Sequence, residues 1–209
     1  MDGRVDITLL RHGVTQANVE KRYLGWSDVP LTNNGKEQLK ELSNHRYPPA
    51  SLLFSSDLQR CYDTAKILYP NQTITHLMAL REIHFGQWEL QTYDDLQGIP
   101  LYRQWLDEPK NVCPPNGESF IAFEQRVLSC WEQITKSAVQ NQIEHIVIVS
   151  HGGPIRLLLT HFAPDKRLFW DWDIPFGGGY TFSTSVERIR RGERCISLQA
   201  VPLMEKASG

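Results

Sequence analysis

The sequence predicts an α/β fold, a three-layer α/β/α sandwich around a mostly parallel central sheet. "VDITLL" (5–10) and "HIVIVS" (145–150) are β-branched, almost unbroken apolar runs of strand length. That is the pattern of strands covered on both faces. "SLLFSS" (51–56) is a third such run. Between these runs apolar residues recur at helical spacing, so strands alternate with helices and crossover connections follow.

In chain order, "TNNGKEQLKELSNH" (32–45) reads as a helix capped by Thr32 or Asn33, with Leu39 and Leu42 facing inward. "SDLQRCYDTAKILY" (56–69) reads as a second, capped by Ser56 or Asp57, with Leu58, Cys61, Ala65 and Leu68 on one face. The stretch 87–117, with Trp88, Tyr93, Tyr102, Trp105 and "CPPNGE", has weaker periodicity and reads as short helices and loops, a small subdomain or lid within a single domain spanning 1–209. "GESFIAFEQRVLSCWEQITKSAV" (117–139) is a long helix with Phe120, Phe123, Val127, Cys130, Trp131 and Ile134 at helical spacing. "GGP" after His151 starts another helix, "FGGGY" (176–180) reads as a turn or substrate wall, and "TFSTSV" (181–186) as a strand. The tail "MEKASG" reads as a solvated end.

With 22 Lys and Arg against 24 Asp and Glu, the net charge is −2, which argues against bulk attraction to nucleic acid or an acidic membrane. No apolar stretch approaches the roughly 18 residues of a transmembrane helix, and the N-terminal apolar run is too short for a signal peptide. Cys61, Cys113, Cys130 and Cys195 have neither zinc-knuckle nor C-x-x-C spacing, so free thiols in a reducing cytoplasm are expected.

In an open parallel sheet, ligands bind beyond the carboxyl ends of the strands. "VDITLL" ends in Arg11-His12-Gly13, "SLLFSS" in Ser55-Ser56 ahead of Arg60, and "HIVIVS" in His151-Gly152-Gly153. Two imidazoles and two guanidinium groups are therefore placed to meet at one edge. Neutral imidazole is a capable nucleophile toward phosphorus when its other nitrogen is held, and the arginine fork suits phosphoryl oxygens. The histidines come with arginines rather than carboxylates, so neither a metal nor another cofactor is expected.

"LLRHGVTQAN", "SSDLQRCYDTA", "LREIHFGQWE" and "VSHGGPIR" resemble, in order and spacing, the signature segments of the histidine phosphatase superfamily, in its phosphoglycerate mutase-like branch. The resemblance implies a phosphoglycerate mutase-like fold and a nucleophile at His12, transiently phosphorylated, with Arg11, Arg60 and His151 around the phosphoryl group. It also implies that Asn18 binds phosphate and that Glu82 is the proton donor to the leaving oxygen; Gly152, beside His151, lets the backbone approach the ligand closely. Thr15 occupies a small polar position of the motif, with a less direct part in binding. Glu89 is the rival carboxylate, with a structural role favoured for it, and Leu90 stands where the family often has glycine.

Three functions follow from the resemblance: a phosphomonoesterase acting on a small-molecule ester, a phosphoglycerate mutase, or an inactive phosphate-ligand binder. The complete set at 11, 12, 60, 82 and 151 counts against the last. The short segment after Glu82 leaves less protein to shield a phosphohistidine from water, which favours hydrolysis over the mutase. "RYLGWSDVPLTNNG", "PNGESFIAFEQRV" and "FWDWDIPFGGGY" resemble the α-ribazole-5′-phosphate phosphatases of cobalamin biosynthesis. Trp26, Trp88, Tyr102, Trp105, Trp170 and Trp172 are candidates for stacking on such a base, and His84 for touching substrate. A monomer or homodimer is expected.

Overall fold

The computed structural model describes residues 3–202, so the tail at 204–209 lies outside the described residues. Six strands, β1 (Arg4–Arg11), β2 (Leu52–Ser55), β3 (Ile74–His76), β4 (His145–Ser150), β5 (Gly179–Ser185) and β6 (Ser197–Val201), form one sheet in the order β3-β2-β4-β1-β5-β6. The β3-β2, β2-β4 and β4-β1 pairs are parallel; β5 runs antiparallel to both β1 and β6.

The unbroken apolar runs are explained by helices on both faces. Along β4, Ile146 and Ile148 point into one apolar layer and Val147 and Val149 into the other. The first layer is completed by α6 (Phe120–Gln140) and α7 (Gly152–Phe162) through Phe123, Val127, Trp131, Ile155 and Leu158. The second is completed by α2 (Asn33–Ser43) and α3 (Gln59–Leu68) through Leu39, Cys61, Ala65 and Leu68. Complete burial of each such aliphatic side chain contributes about 1.5–3 kcal/mol, which makes the sheet a rigid support.

Two caps differ in their fate. Thr32 caps α2 as expected, its hydroxyl accepting from Gly35 N at 2.9 Å. Neither Ser56 nor Asp57 caps α3: its N-cap is Leu58, and Gln59 N is satisfied from a distance by Asp28 Oδ1 at 2.8 Å. Asp57 is drawn instead to Arg81, at 2.6 Å, and Ser56 to His151.

The middle of the chain folds as short helices, including α4 (Tyr93–Leu96) and α5 (Pro100–Asp107), around an aromatic cluster of its own. Trp88, Leu96, Tyr102, Trp105 and Val112 make this cluster, with Tyr23 and Phe85 packed against it. Tyr23 comes from the segment after α1 (Gln16–Val19), and its hydroxyl meets that of Tyr102 at 2.6 Å.

Candidate active site

Strand register brings the two histidines together. Arg11 lies opposite Ser150 in the β1–β4 ladder, and His12 N–H continues it by donating to the Ser150 carbonyl at 3.0 Å. The rings of His12 and His151 stand 5.1 Å apart, edge to face. His12 Nδ1 is 2.7 Å from the Gly13 carbonyl. Because a carbonyl only accepts, Nδ1 carries the proton and Nε2 keeps a free lone pair. Burial, followed by the charges of Arg60 and Arg11, holds His12 well below the usual imidazole range, so it is neutral.

His151 is also fully buried and held neutral, by burial first and then by Arg60. Its Nδ1 accepts from Arg60 Nε at 3.3 Å and its Nε2 lies 2.9 Å from Ser56 Oγ. Arg60 donates through Nη1 to the Ser27 carbonyl (2.9 Å) and through Nη2 to the Gly25 carbonyl (2.6 Å), and among the described residues no carboxylate pairs with it. The loop that supplies these carbonyls is fixed by Glu89, whose carboxylate accepts from the backbone N–H groups of Gly25, Trp26, Ser27 and Phe85 at 2.9–3.1 Å. Leu90, directly after it, adopts a left-handed backbone with φ of 62°, the conformation that glycine would hold without strain.

In front of the histidines opens a cleft of about 360 Å³, lined on its inner side by Arg11, His12, Asn18, Glu82, Gly152 and Gly153. Of the residues expected at the site, Arg60, His151 and Thr15 do not line it. Arg60 and His151 form the floor behind His12. Thr15 is fully buried because it caps α1: its hydroxyl and N–H both donate to Asn18 Oδ1, at 2.9 and 3.1 Å. That fixes Asn18 with its amide nitrogen left over.

Arg11 donates from Nη1 to the Ile174 carbonyl at 2.8 Å and lies 3.7 Å from the centre of the Phe176 ring, while its buried Nε has no partner. Burial lowers its pKa to about 10, so it remains a cation at neutral pH. Glu82 Oε2 accepts from Gly153 N at 2.8 Å and Oε1 from Ile83 N at 2.9 Å, which seats the carboxylate at the N-terminus of α7. The Glu82 carbonyl is held by Trp26 Nε1 (3.0 Å) and Arg126 Nη2 (3.2 Å).

The outer cleft is aromatic, but with a different membership from the one the sequence suggested. Trp105 and Trp170 line it, joined by Tyr23, Phe85, Phe120, Phe123 and Phe169. Trp88, Tyr102 and Trp172 are core residues. Trp26 and His84 pack against each other at 4.9 Å, outside the cleft. "FGGGY" does not line the cleft either. Gly177 N donates to the Arg11 carbonyl at 3.0 Å, and a Cβ on Gly179 would lie 1.9 Å from the Leu9 carbonyl, so the glycines let β5 close against β1. Sequence reasoning missed Arg156 and Arg126, while Phe176 of "FGGGY" packs on Arg11; Arg156 stands in the quoted "VSHGGPIR", one helical turn after Gly152.

The site thus offers a neutral nucleophilic imidazole, cations, a carboxylate beside a helix N-terminus, and an apolar wall: the apparatus for attack on a phosphate ester. No cluster of three His, Cys, Asp or Glu fit to hold a metal occurs among the described residues. Comparison with known proteins agrees with this chemistry. The chain is 34% identical over 157 residues to the adenosylcobalamin/α-ribazole phosphatase of Salmonella typhimurium, covering 73% of this chain and 76% of that one. The crystal structure of the α-ribazole phosphatase from Shigella flexneri superposes with a TM-score of 0.76 at 29% identity, covering 86% and 89% of the two chains. A phosphoglycerate mutase structure from Thermus thermophilus gives 0.68 at 30% identity, covering 95% and 100%. The sequence profile of the histidine phosphatase superfamily (branch 1) matches residues 7–199, and with four motifs, one cleft and one fold in agreement, the chain belongs to that superfamily.

Proposed function

We propose that this phosphatase hydrolyses a small phosphate monoester whose leaving alcohol carries a flat aromatic base, α-ribazole 5′-phosphate of cobalamin biosynthesis, through a phosphohistidine at His12. The observation that carries the chemistry is the 2.7 Å contact between His12 Nδ1 and the Gly13 carbonyl, which aims an unprotonated Nε2. In the first half-reaction Nε2 attacks phosphorus, the P–O ester bond breaks as N–P forms, and Glu82 gives its proton to the departing oxygen. In the second, Glu82 takes a proton from water, which attacks phosphorus and releases His12 with inorganic phosphate. Arg11, Asn18 and the Gly152 N–H bind the phosphoryl oxygens, while Arg60 and His151 act from the floor. General acid catalysis of this kind is worth about 10²–10⁴ in rate.

The substrate assignment is supported by the seven aromatic residues along the outer cleft and by the α-ribazole phosphatase relatives. The mutase relationship makes 3-phosphoglycerate the comparison that matters. Rapid quenching into alkaline detergent should trap a base-stable, acid-labile phosphoenzyme in the wild type and none in His12→Ala. A kcat/KM for α-ribazole 5′-phosphate well above those for 3-phosphoglycerate and phosphoserine supports the substrate; the reverse order removes it. We further propose a cytoplasmic monomer or homodimer with no nucleic-acid partner, a reading supported by the net charge of −2 and four free thiols. Among the described residues no helix is long and apolar enough to cross a membrane.

A further inference from the structure

We propose that Arg156 is a third guanidinium of the phosphoryl site, a catalytic residue that touches the transferred group directly. The inference rests on the reading of the cleft given above. Motif reasoning supplies Arg11 and Arg60 as the phosphate clamp, yet the two arginines on the inner wall nearest α7 are Arg11 and Arg156; Arg60 does not reach the surface of the cleft.

The placement follows from helix geometry. Arg156 is four residues after Gly152 in α7, and helical side chains lean toward the N-terminus, so its guanidinium returns to the first turn. Gly152 measures the approach: a Cβ there would lie 3.0 Å from Arg156 Nη1 and 3.8 Å from the Arg11 guanidinium carbon. Two cations therefore flank one glycine, at the end of a helix whose N–H groups attract anions.

The Arg156 fork lines the cleft. Its Nε is anchored on the Trp172 carbonyl at 3.1 Å, and it stands 5.8 Å from the Trp170 ring. Among the described residues no carboxylate forms an ion pair with it and neither Nη has an acceptor. Placing a second guanidinium beside Arg11 is unfavourable in itself, and Arg156 is one of the charges that pulls the Arg11 pKa down. A phosphoryl group between them reverses the sign of that interaction and presents equatorial oxygens to both forks.

The test uses Arg156→Ala, Arg156→Gln and Arg156→Lys in the full chain, with p-nitrophenyl phosphate as substrate and inorganic phosphate and orthovanadate as competitive inhibitors. Direct contact predicts that both inhibition constants rise at least about tenfold in the Ala and Gln variants. It also predicts that kcat/KM falls about 10²–10³-fold, the usual loss of one such donor, with Lys intermediate. Millimolar guanidinium should restore part of the Ala activity. Inhibition constants within twofold of wild type overturn the proposal, including the case in which only turnover of bulky esters falls, since Arg156 would then serve the leaving group. If Arg156→Ala fails to fold, the Lys and Gln variants decide. Failure of the broader phosphatase reading would show itself separately, as a wild type that neither turns over nor traps phosphate.

Discussion

Gly153→Ala offers a sharp test of Glu82 as the proton donor. A Cβ on Gly153 would lie 2.0 Å from Glu82 Oε1 and 2.9 Å from its carboxyl carbon. Ordinary contact begins near 3.4 Å, so the carboxylate must retreat by roughly 1.4 Å and lose the 2.8 Å bond from Gly153 N. A hydrogen bond to a charged acceptor is worth about 1.5–3 kcal/mol, and a misplaced acid forfeits up to the roughly 10²–10⁴ of general acid catalysis. The helix itself gains, because alanine in a helix is favoured over glycine by about 0.5–1 kcal/mol. The expected variant is therefore folded, less stable in urea by about 0.5–2.5 kcal/mol, and slowed about 10²-fold on an alkyl phosphate. On p-nitrophenyl phosphate, whose leaving group needs little protonation, it should be slowed several-fold only. Combining it with Glu82→Gln should add almost nothing on the alkyl ester, because both changes remove the same function. Equal losses on both esters, or full additivity, would refute the reasoning.

Other outcomes follow from the same geometry. His12 and His151 are buried with pKa values depressed below the ordinary 6.5. The unfolded chain therefore takes up protons first as pH falls through about 6.5, and stability present above that value is lost below it. Each histidine contributes about 1.4 kcal/mol per pH unit in that window, so urea titrations of His12→Ala and His151→Ala should each show a slope shallower by one proton. Glu89→Gln replaces a carboxylate that receives four backbone N–H groups with an amide that accepts through one atom, and should cost about 2–4 kcal/mol in chemical denaturation. Leu90→Gly, at φ 62°, should gain about 1 kcal/mol with kcat unchanged. Activity should survive dialysis against a strong chelator; a metal requirement would contradict the donor set.

The architecture was legible because its signals are local. β1 and β4 carry apolar residues to both layers since both faces are covered, and the site residues Arg11, His12 and His151 stand where those strands end. Where competition among distant groups decides, the sequence misled: Ser56 and Asp57 are good cap residues, yet His151 and Arg81 claim them and Asp28 does their work. Thr15 was legible as a motif position but not as the cap that orients Asn18. The stacking aromatics could not be sorted from the core because Trp88 and Trp105 belong to one cluster and only the second also faces the cleft. Arg156 stands in plain sight within its motif, but its place at the cleft depends on the helical turn that follows His151, which brings it back beside Gly152.

The way Arg60 is held has a thermodynamic consequence. Its partners are the carbonyls of Gly25 and Ser27 and an imidazole nitrogen, all uncharged, so the buried guanidinium is solvated by dipoles but not neutralised. The fold thus holds a buried positive charge that a tetrahedral oxyanion in the cleft would offset, and sulfate or phosphate in the buffer should raise the melting temperature in proportion to the logarithm of their concentration. Heat stability and catalytic competence are joined at this residue, and a thermal-shift curve becomes a readout of how strongly the cleft binds its anion.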